Sequence, residues 1–230
     1  MAGDPRRVTG LFVTGTDTGV GKSVVSACLV AALRARGERV AAVKPVLTGL
    51  DEPPAPGEWP MDHELLAGAA GTSPDAVTAF TFGPAVSPHL AAELAGTPLD
   101  AAAVIEETRS RAATGDVAIV EGVGGLLVPI APGLSVRDLA VALGLPLVVV
   151  ARPGLGTINH TLLTLESARA AGLDVRAVVL NPWPDEPTVM ERSNRETIER
   201  LGEVEVQTLG ETSQDRLAPS GSPLVDAIYP

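Results

Sequence analysis

The sequence predicts an α/β fold of three layers, doubly wound, with a mainly parallel sheet and helices on both faces. Three observations carry that prediction. Apolar runs such as Val117 to Val120, Leu147 to Ala151 and Val175 to Leu180 are separated by stretches with helical apolar spacing. Hydrophobic residues make up 45% of the chain and aromatics 3%, so the core is mostly Val, Leu, Ile and Ala, as suits strands buried on both faces. The third observation is the stretch Gly15-Thr16-Asp17-Thr18-Gly19-Val20-Gly21-Lys22-Ser23, which follows the apolar run Leu11-Phe12-Val13 and precedes a helical pattern. It reads as a strand, a glycine-rich loop and a helix N-terminus. A chain of 230 residues is long enough for one such domain, residues 1–230, and no shift in composition divides it.

The loop is a phosphate cradle of the P-loop NTPase kind. Glycines let backbone N–H groups turn inward around an anion, and the positive end of the following helix reinforces them. Lys22 is placed to reach the β and γ phosphates of a nucleotide, and the Ser23 hydroxyl to ligate Mg²⁺. The general pattern places a glycine five positions before the last one; here that position is Thr16, with Gly15 one residue earlier. The alternative is a βα turn that binds nothing, which Gly21-Lys22-Ser23 at the helix start argues against.

Charge and cysteine content narrow the partners. A formal net charge of −11 disfavours nucleic acid and anionic membranes. No segment approaches the roughly 20 apolar residues of a membrane helix. The single cysteine, Cys28, excludes an internal disulfide, fits a reducing compartment and falls inside the first helix as a structural thiol. Arg6-Arg7 is followed by only a short strand-like run, so residues 1–7 read as a flexible tail of a cytoplasmic protein and not as an export signal.

Taken in order, Val24 to Arg36 is a helix stopped by Gly37. Val40 to Val43 is a strand delivering Lys44-Pro45 to the carboxyl edge of the sheet, where open α/β sheets hold ligands. Lys44 alone is either a solvated strand-end lysine or a site residue, with Thr48-Gly49 within reach. Residues 50–60, rich in proline, form a mobile loop. Asp62 opens a helix to about Ala70, either as its N-cap or as a carboxylate aimed at a nucleotide's metal. Phe80 to Phe82 is extended, Ser87-Pro88 starts a helix carrying a peripheral His89, and Leu99-Asp100 begins another to about Ala113.

Val117 to Val120 ends in Glu121-Gly122-Val123-Gly124-Gly125. An acid there is either an exposed turn residue or the carboxylate that organises Mg²⁺. Leu126 to Ile130 is extended, Val136 to Leu143 helical, and Leu147 to Ala151 a buried strand. Pro153-Gly154-Leu155-Gly156-Thr157-Ile158-Asn159 then opens a helix to Ala171. It is either an anion site suited to a carboxylate or an ordinary turn capped by Thr157 or Asn159. Val175 to Leu180 ends at Asn181-Pro182, whose amide is placed to pair with a nucleobase edge. A helix from Pro187 to Leu201, a strand from Val204 to Leu209 and a loop from Glu211 to Gln214 follow; the tail beyond Arg216 carries no signal.

Together these segments resemble the dethiobiotin synthetases. The resemblance rests on Gly15 to Ser23, Lys44 to Gly49, Asp62, Ser87-Pro88-His89, Val120 to Gly125 and Leu155 to His160, and it covers residues 8 to 215. It accounts for the displaced glycine, which is the form of the loop in that family. It implies an ATP- and Mg²⁺-dependent ligase that carboxylates 7,8-diaminononanoate with CO₂ or bicarbonate and closes the ureido ring in biotin synthesis. By resemblance Gly19, Val20, Gly21, Lys22, Ser23 and Val24 wrap the triphosphate, with Lys22 and Lys44 catalytic. Ser23, Asp62 and Glu121 would hold Mg²⁺. Gly122, Val123 and Gly124 adjoin the nucleotide, as do Asn181, Pro182, Thr212, Ser213 and Gln214. Thr18, Lys44 and Thr48 face the diamine. The family is a homodimer with an interfacial site, in which Gly154, Leu155, Gly156 and Asn159 of one chain receive the substrate carboxylate bound to the other.

Three positions depart from the family's pattern. Gly19 stands where some members carry an acid, and Pro182-Trp183 follows Asn181 in place of an Asn-Asp pair. The Thr188 to Glu196 helix has no tyrosine-type carboxylate anchor and leaves Arg192 or Asn194 to serve. Two rival functions remain at this level. A cobyrinate-type amidotransferase needs a cysteine-dependent glutaminase domain, for which the chain has no room. A P-loop switch or partition ATPase leaves Lys44, Thr48 and the Gly154 loop without a task.

Overall fold

A computed structural model describes residues 9–229. The expected tail at 1–7 lies outside the described residues.

The first strand, β1 (Gly10–Gly15), occupies the middle of a six-stranded sheet. It runs straight into the glycine loop and α1 (Lys22–Ala35), then β2 (Val40–Val43). A short excursion follows: β3 (Val46–Leu47), α2 (Asp62–Ala70), α3 (Pro74–Val77), β4 (Phe80–Thr81), α4 (Pro88–Leu94) and α5 (Ala101–Ala112). The chain returns through β5 (Val117–Gly125), the small hairpin β6 (Pro129–Ala131) and β7 (Leu134–Ser135), and α6 (Val136–Leu143). It ends with β8 (Leu147–Ala151), α7 (Thr157–Ala170), β9 (Val175–Trp183), α8 (Val189–Gly202), β10 (Glu205–Gly210) and α9 (Leu217–Ile228).

The sheet order is β10-β9-β8-β1-β5-β2, and every pairing in it is parallel. After β2 the chain comes back to β5, beside β1, and then crosses to β8 on the other side of β1. That reversal leaves a crevice at the carboxyl end of β1, where such folds bind ligands. The two faces of β1 feed separate apolar layers. Phe12 packs into the layer that includes α4, α5, α6 and α7, while Leu11 and Val13 pack under α1, α2 and α9. Parallel strands buried on both sides explain why the runs read as continuous Val, Leu, Ile and Ala.

Most elements fall where the sequence places them, and the differences are instructive. The helix after the second glycine loop starts at Thr157, two residues before the expected Asn159. Leu126 and Leu127 form a turn and only Pro129–Ala131 is strand. Beyond Arg216 the chain is not featureless: α9 runs over Leu217–Ile228 with Pro223 inside it. Two prolines, a glycine and two serines read as breakers, yet Leu217, Gly221, Leu224, Val225 and Ile228 lie on one buried stripe. The stripe presses on α1 so closely that a Cβ on Gly221 would stand 2.0 Å from the Cys28 carbonyl oxygen.

Candidate active site

The glycine loop closes on itself at Gly21, whose φ of +86° is open to glycine and strained for other residues. The Thr16 N–H donates to the Val150 carbonyl at 2.9 Å, fastening the loop to β8. Lys22 and Ser23 are the first two residues of α1, so their side chains rise from the positive end of the helix. Lys22 is buried, and its Nζ donates to the Asp17 carbonyl at 3.1 Å. Burial and the nearby charge of Lys44 lower the Lys22 amine to about 8.

Lys44 follows β2 directly, and its backbone N–H donates to the Val77 carbonyl at 2.9 Å. It is no solvated strand-end lysine: only 2% of the residue is exposed. Its Nζ donates to Asp62 Oδ2 at 2.7 Å, Glu121 Oε1 at 2.5 Å and the Gly122 carbonyl at 3.3 Å. Burial works to lower this amine, but the Asp62 and Glu121 carboxylates overcome it and hold Lys44 above the usual lysine range.

The two acids arrive from different elements. Asp62 is the first residue of α2, and its carboxylate turns to Ser23 and Lys44, so it is not the N-cap the spacing allowed. The N-cap is Met61, whose N–H donates to Glu64 Oε2 at 3.2 Å. Burial pushes Asp62 up, but the charge and hydrogen bond of Lys44, with the Ser23 hydroxyl, bring it down to about 2. Glu121 lies within β5, where the register with β1 slips: Val13 pairs with Glu121 but Gly15 with Gly125. Two extra residues bulge there and turn the Gly122 carbonyl toward Lys44.

Ser23 Oγ is 2.6 Å from Asp62 Oδ1 and 2.9 Å from Glu121 Oε1. One hydroxyl proton cannot serve both oxygens, and Glu121 Oε2, fully buried, has no hydrogen-bond partner. Among the described residues there is no cluster of three or more His, Cys, Asp or Glu. The set is instead two carboxylates and a hydroxyl, hard oxygens with spare lone pairs, which fits Mg²⁺ that takes its remaining ligands from phosphate and water.

Lys22, Ser23, Lys44 and Asp62 line a cavity of about 610 Å³ together with Thr18, Gly19, Gly21, Val24, Thr48, Val123 and Gly124, whereas Glu121 and Gly122 are not among its lining residues and Glu121 is fully buried. A neighbouring cavity of about 320 Å³ is lined by Val20, Asn181, Pro182 and Thr212, again with Gly19, Gly21 and Val24. Sequence reasoning missed Trp59, which lines both, and Ala85, Val86 and Ser87 of the β4–α4 connection. The Ser87-Pro88 helix start pointed toward that connection. His89 is exposed, with its Nδ1 3.0 Å from Ser87 Oγ.

Other expected residues sit elsewhere. Asn181 lines the smaller cavity, but its Nδ2 donates to the Val20 carbonyl at 3.2 Å, so the amide braces the glycine loop. Ser213 donates to Asp215, and Gln214 lies in a separate groove beside α1, α2 and α9. Gly154, Leu155, Gly156 and Asn159 line neither cavity, and Leu155 is 93% exposed. Asn194 is buried and its Nδ2 donates to the carbonyls of Pro153 at 2.9 Å and Gly154 at 3.3 Å, fixing that loop from α8. Arg192 donates to the Pro187 carbonyl.

Known proteins are similar to this chain over most of its length. The family model described as an AAA domain matches residues 9–215. A protein of Anaeromyxobacter dehalogenans (strain 2CP-1 / ATCC BAA-258) named ATP-dependent dethiobiotin synthetase BioD is 47% identical over 184 residues, 78% of this chain and 80% of that one. The protein of the same name from Rhodococcus jostii (strain RHA1) is 42% identical over 210 residues, 90% of this chain and 88% of that one. In Haloferax mediterranei the figures are 41% over 197 residues, 86% and 82%. The chain therefore belongs to the ATP-dependent dethiobiotin synthetase family.

Proposed function

We propose that this protein closes the ureido ring of dethiobiotin, using ATP and Mg²⁺ to carboxylate 7,8-diaminononanoate with CO₂. An amine of the diamine takes up CO₂ as a carbamate, a carbamate oxygen attacks the γ-phosphorus of ATP and ADP leaves. The second amine then attacks the carbonyl of the mixed anhydride, and phosphate leaves as the ring closes. Little of this demands covalent help from the protein; it demands positioning and relief of negative charge.

The observation that carries the reading is Lys44. A phosphate loop needs Lys22, whereas a second buried ammonium in the same cavity, beside Thr48, serves a further anion that gathers charge during transfer. Lys44, already paired with Asp62 and Glu121, still opposes the charge of Lys22, and an entering polyphosphate or carbamate relieves that opposition. Thr18 and Thr48 stand on the walls as hydrogen-bond partners for the diamine and its carbamate. Ser23, Asp62 and Glu121 would hold Mg²⁺, which when bound neutralises charge on the phosphates. No general-base histidine is called for.

The Gly154–Asn159 loop fits a second role. Leu155, 93% exposed, and Val189, 76% exposed, are apolar side chains on the β8–α7 connection and the start of α8. In a homodimer these surfaces are covered, and the glycine loop of one subunit receives the substrate carboxylate held by the other. Among the described residues no helix is long and apolar enough to cross a membrane.

The test is phosphate release from ATP and Mg²⁺, with and without diamine plus bicarbonate, on wild type and Lys44→Ala. Release that requires both co-substrates and collapses in the variant supports the synthetase. Release indifferent to the diamine supports a switch-type ATPase.

A further inference from the structure

The two cavities share four lining residues: Gly19, Gly21, Val24 and Trp59. The first three belong to the phosphate loop and the start of α1, so Trp59 is the only shared residue contributed from outside. It lies in a stretch with no helix or strand, between β3 and α2, yet it is half-buried and packs on the apolar layer of α1. Prolines at 53, 54, 56 and 60 restrict the backbone around it, which limits the freedom that this loop gives up when a ligand arrives.

Three residues that line the smaller cavity have their side-chain donors engaged or lack an N–H, while Gly210 and the Glu211 carboxylate also line it. The Asn181 amide donates to Val20, Thr212 Oγ1 pairs with Ser220 Oγ at 2.8 Å, and Pro182 has no N–H. The indole of Trp59 is the one aromatic face that the lining offers to a nucleoside entering there. The geometry points to Trp59 as the residue that positions the nucleoside half of ATP, its indole closing over the ribose and the near face of the base where the phosphate cavity opens into the smaller one. This rests on the reading above that the protein uses ATP, and it seats the phosphates on Lys22 and the nucleoside in the smaller cavity. It assigns to a proline-rich connection, otherwise unoccupied by function, the task of holding the nucleotide's far end while the γ-phosphate stays on the lysines.

The chain has two tryptophans, Trp59 and Trp183, so Trp183→Phe leaves Trp59 as the sole indole reporter. Three measurements test the inference: ATP titration of Trp183→Phe by tryptophan fluorescence, and steady-state KM for ATP and for the diamine in Trp59→Ala and Trp59→Phe. Stacking of a base on an aromatic side chain predicts that Trp59→Ala raises KM for ATP about tenfold or more. KM for the diamine and kcat stay within about twofold, Trp59→Phe recovers most of the loss, and Trp59 emission changes saturably with ATP. An unchanged KM for ATP in Trp59→Ala overturns the inference. So does a matching rise for both substrates, which marks a purely structural loop, or a failure of phenylalanine to rescue. Diamine-independent ATP turnover by wild type with the same Trp59 effect removes the synthetase reading and leaves the nucleoside contact standing. A wild type that neither turns over ATP nor changes its Trp59 emission with ATP removes both.

Discussion

Lys44 Nζ lies 2.5 Å from Glu121 Oε1, with side chains 2% and 0% exposed. The pair joins the end of β2 to the bulge in β5, and Asp62 completes it from α2 at 2.7 Å. Such a group is sensitive to losing one member, because the charge left behind stays buried without a partner. Lys44→Met is expected to destabilise the fold by about 3–5 kcal/mol, read as a lower urea midpoint at constant slope. Adding Glu121→Gln removes the stranded charge, so the double variant should regain part of that loss while remaining inactive. A double variant less stable than the sum of the singles would show that the pair is not coupled in this way.

The metal role proposed for Asp62 and Ser23 is open to a direct test. Replacing Asp62 with Asn keeps the shape and removes one anionic oxygen from the set around Ser23 Oγ. The Mg²⁺ concentration for half-maximal ATP turnover should rise by at least the tenfold to hundredfold seen when even outer partners of a metal are lost. Chelation with EDTA should abolish turnover in wild type, with Mg²⁺ restoring it. An unshifted Mg²⁺ dependence in Asp62→Asn would remove Asp62 from the metal set.

Gly221 tests the helix that the sequence concealed. A methyl group there meets the Cys28 carbonyl oxygen at 2.0 Å and its carbon at 2.5 Å, both backbone atoms that cannot swing aside. Gly221→Ala should cost about 1–3 kcal/mol through overpacking, seen as a lowered Tm, with KM values unchanged at low temperature. A Tm equal to wild type would mean that α9 is not held against α1.

Cys28, on the other side of that contact, has its thiol pushed up by burial to about 12. The folded thiol should therefore resist iodoacetamide at pH 8 and react once the chain is unfolded in urea. Between pH 9 and pH 12 the unfolded chain gives up this proton while the folded one keeps it. Fewer protons on the unfolded state mean that stability falls as pH rises through that window. Rapid alkylation of the native protein would contradict the burial.

The strands and the phosphate loop were legible because local pattern decides them: buried parallel strands need continuous apolar runs, and a phosphate cradle needs glycines before a lysine. The side chains of the candidate site were half legible. Glu121 announced itself at the tip of an apolar strand, but whether Lys44 was solvated depended on Asp62 and Glu121, which lie 18 and 77 residues away in the chain. Trp59 was hidden by its prolines, which signal a loop and say nothing of what the loop covers. The α9 stripe was present at helical spacing, and prolines at 219 and 223 outweighed it. Asn194 was noticed for the wrong partner: it holds the Pro153 and Gly154 carbonyls, an interaction between elements that one-dimensional spacing does not encode.

The central claim is that energy from ATP is spent on joining carbon from bicarbonate to the diamine. The most direct measurement is turnover of 7,8-diaminononanoate with ATP, Mg²⁺ and ¹³C-bicarbonate, with mass spectrometry of the product alongside phosphate release. The expected product is a cyclic urea carrying the label in its carbonyl, with one phosphate released per ring formed. Phosphate release without labelled product, or at the same rate when the diamine is omitted, would contradict it.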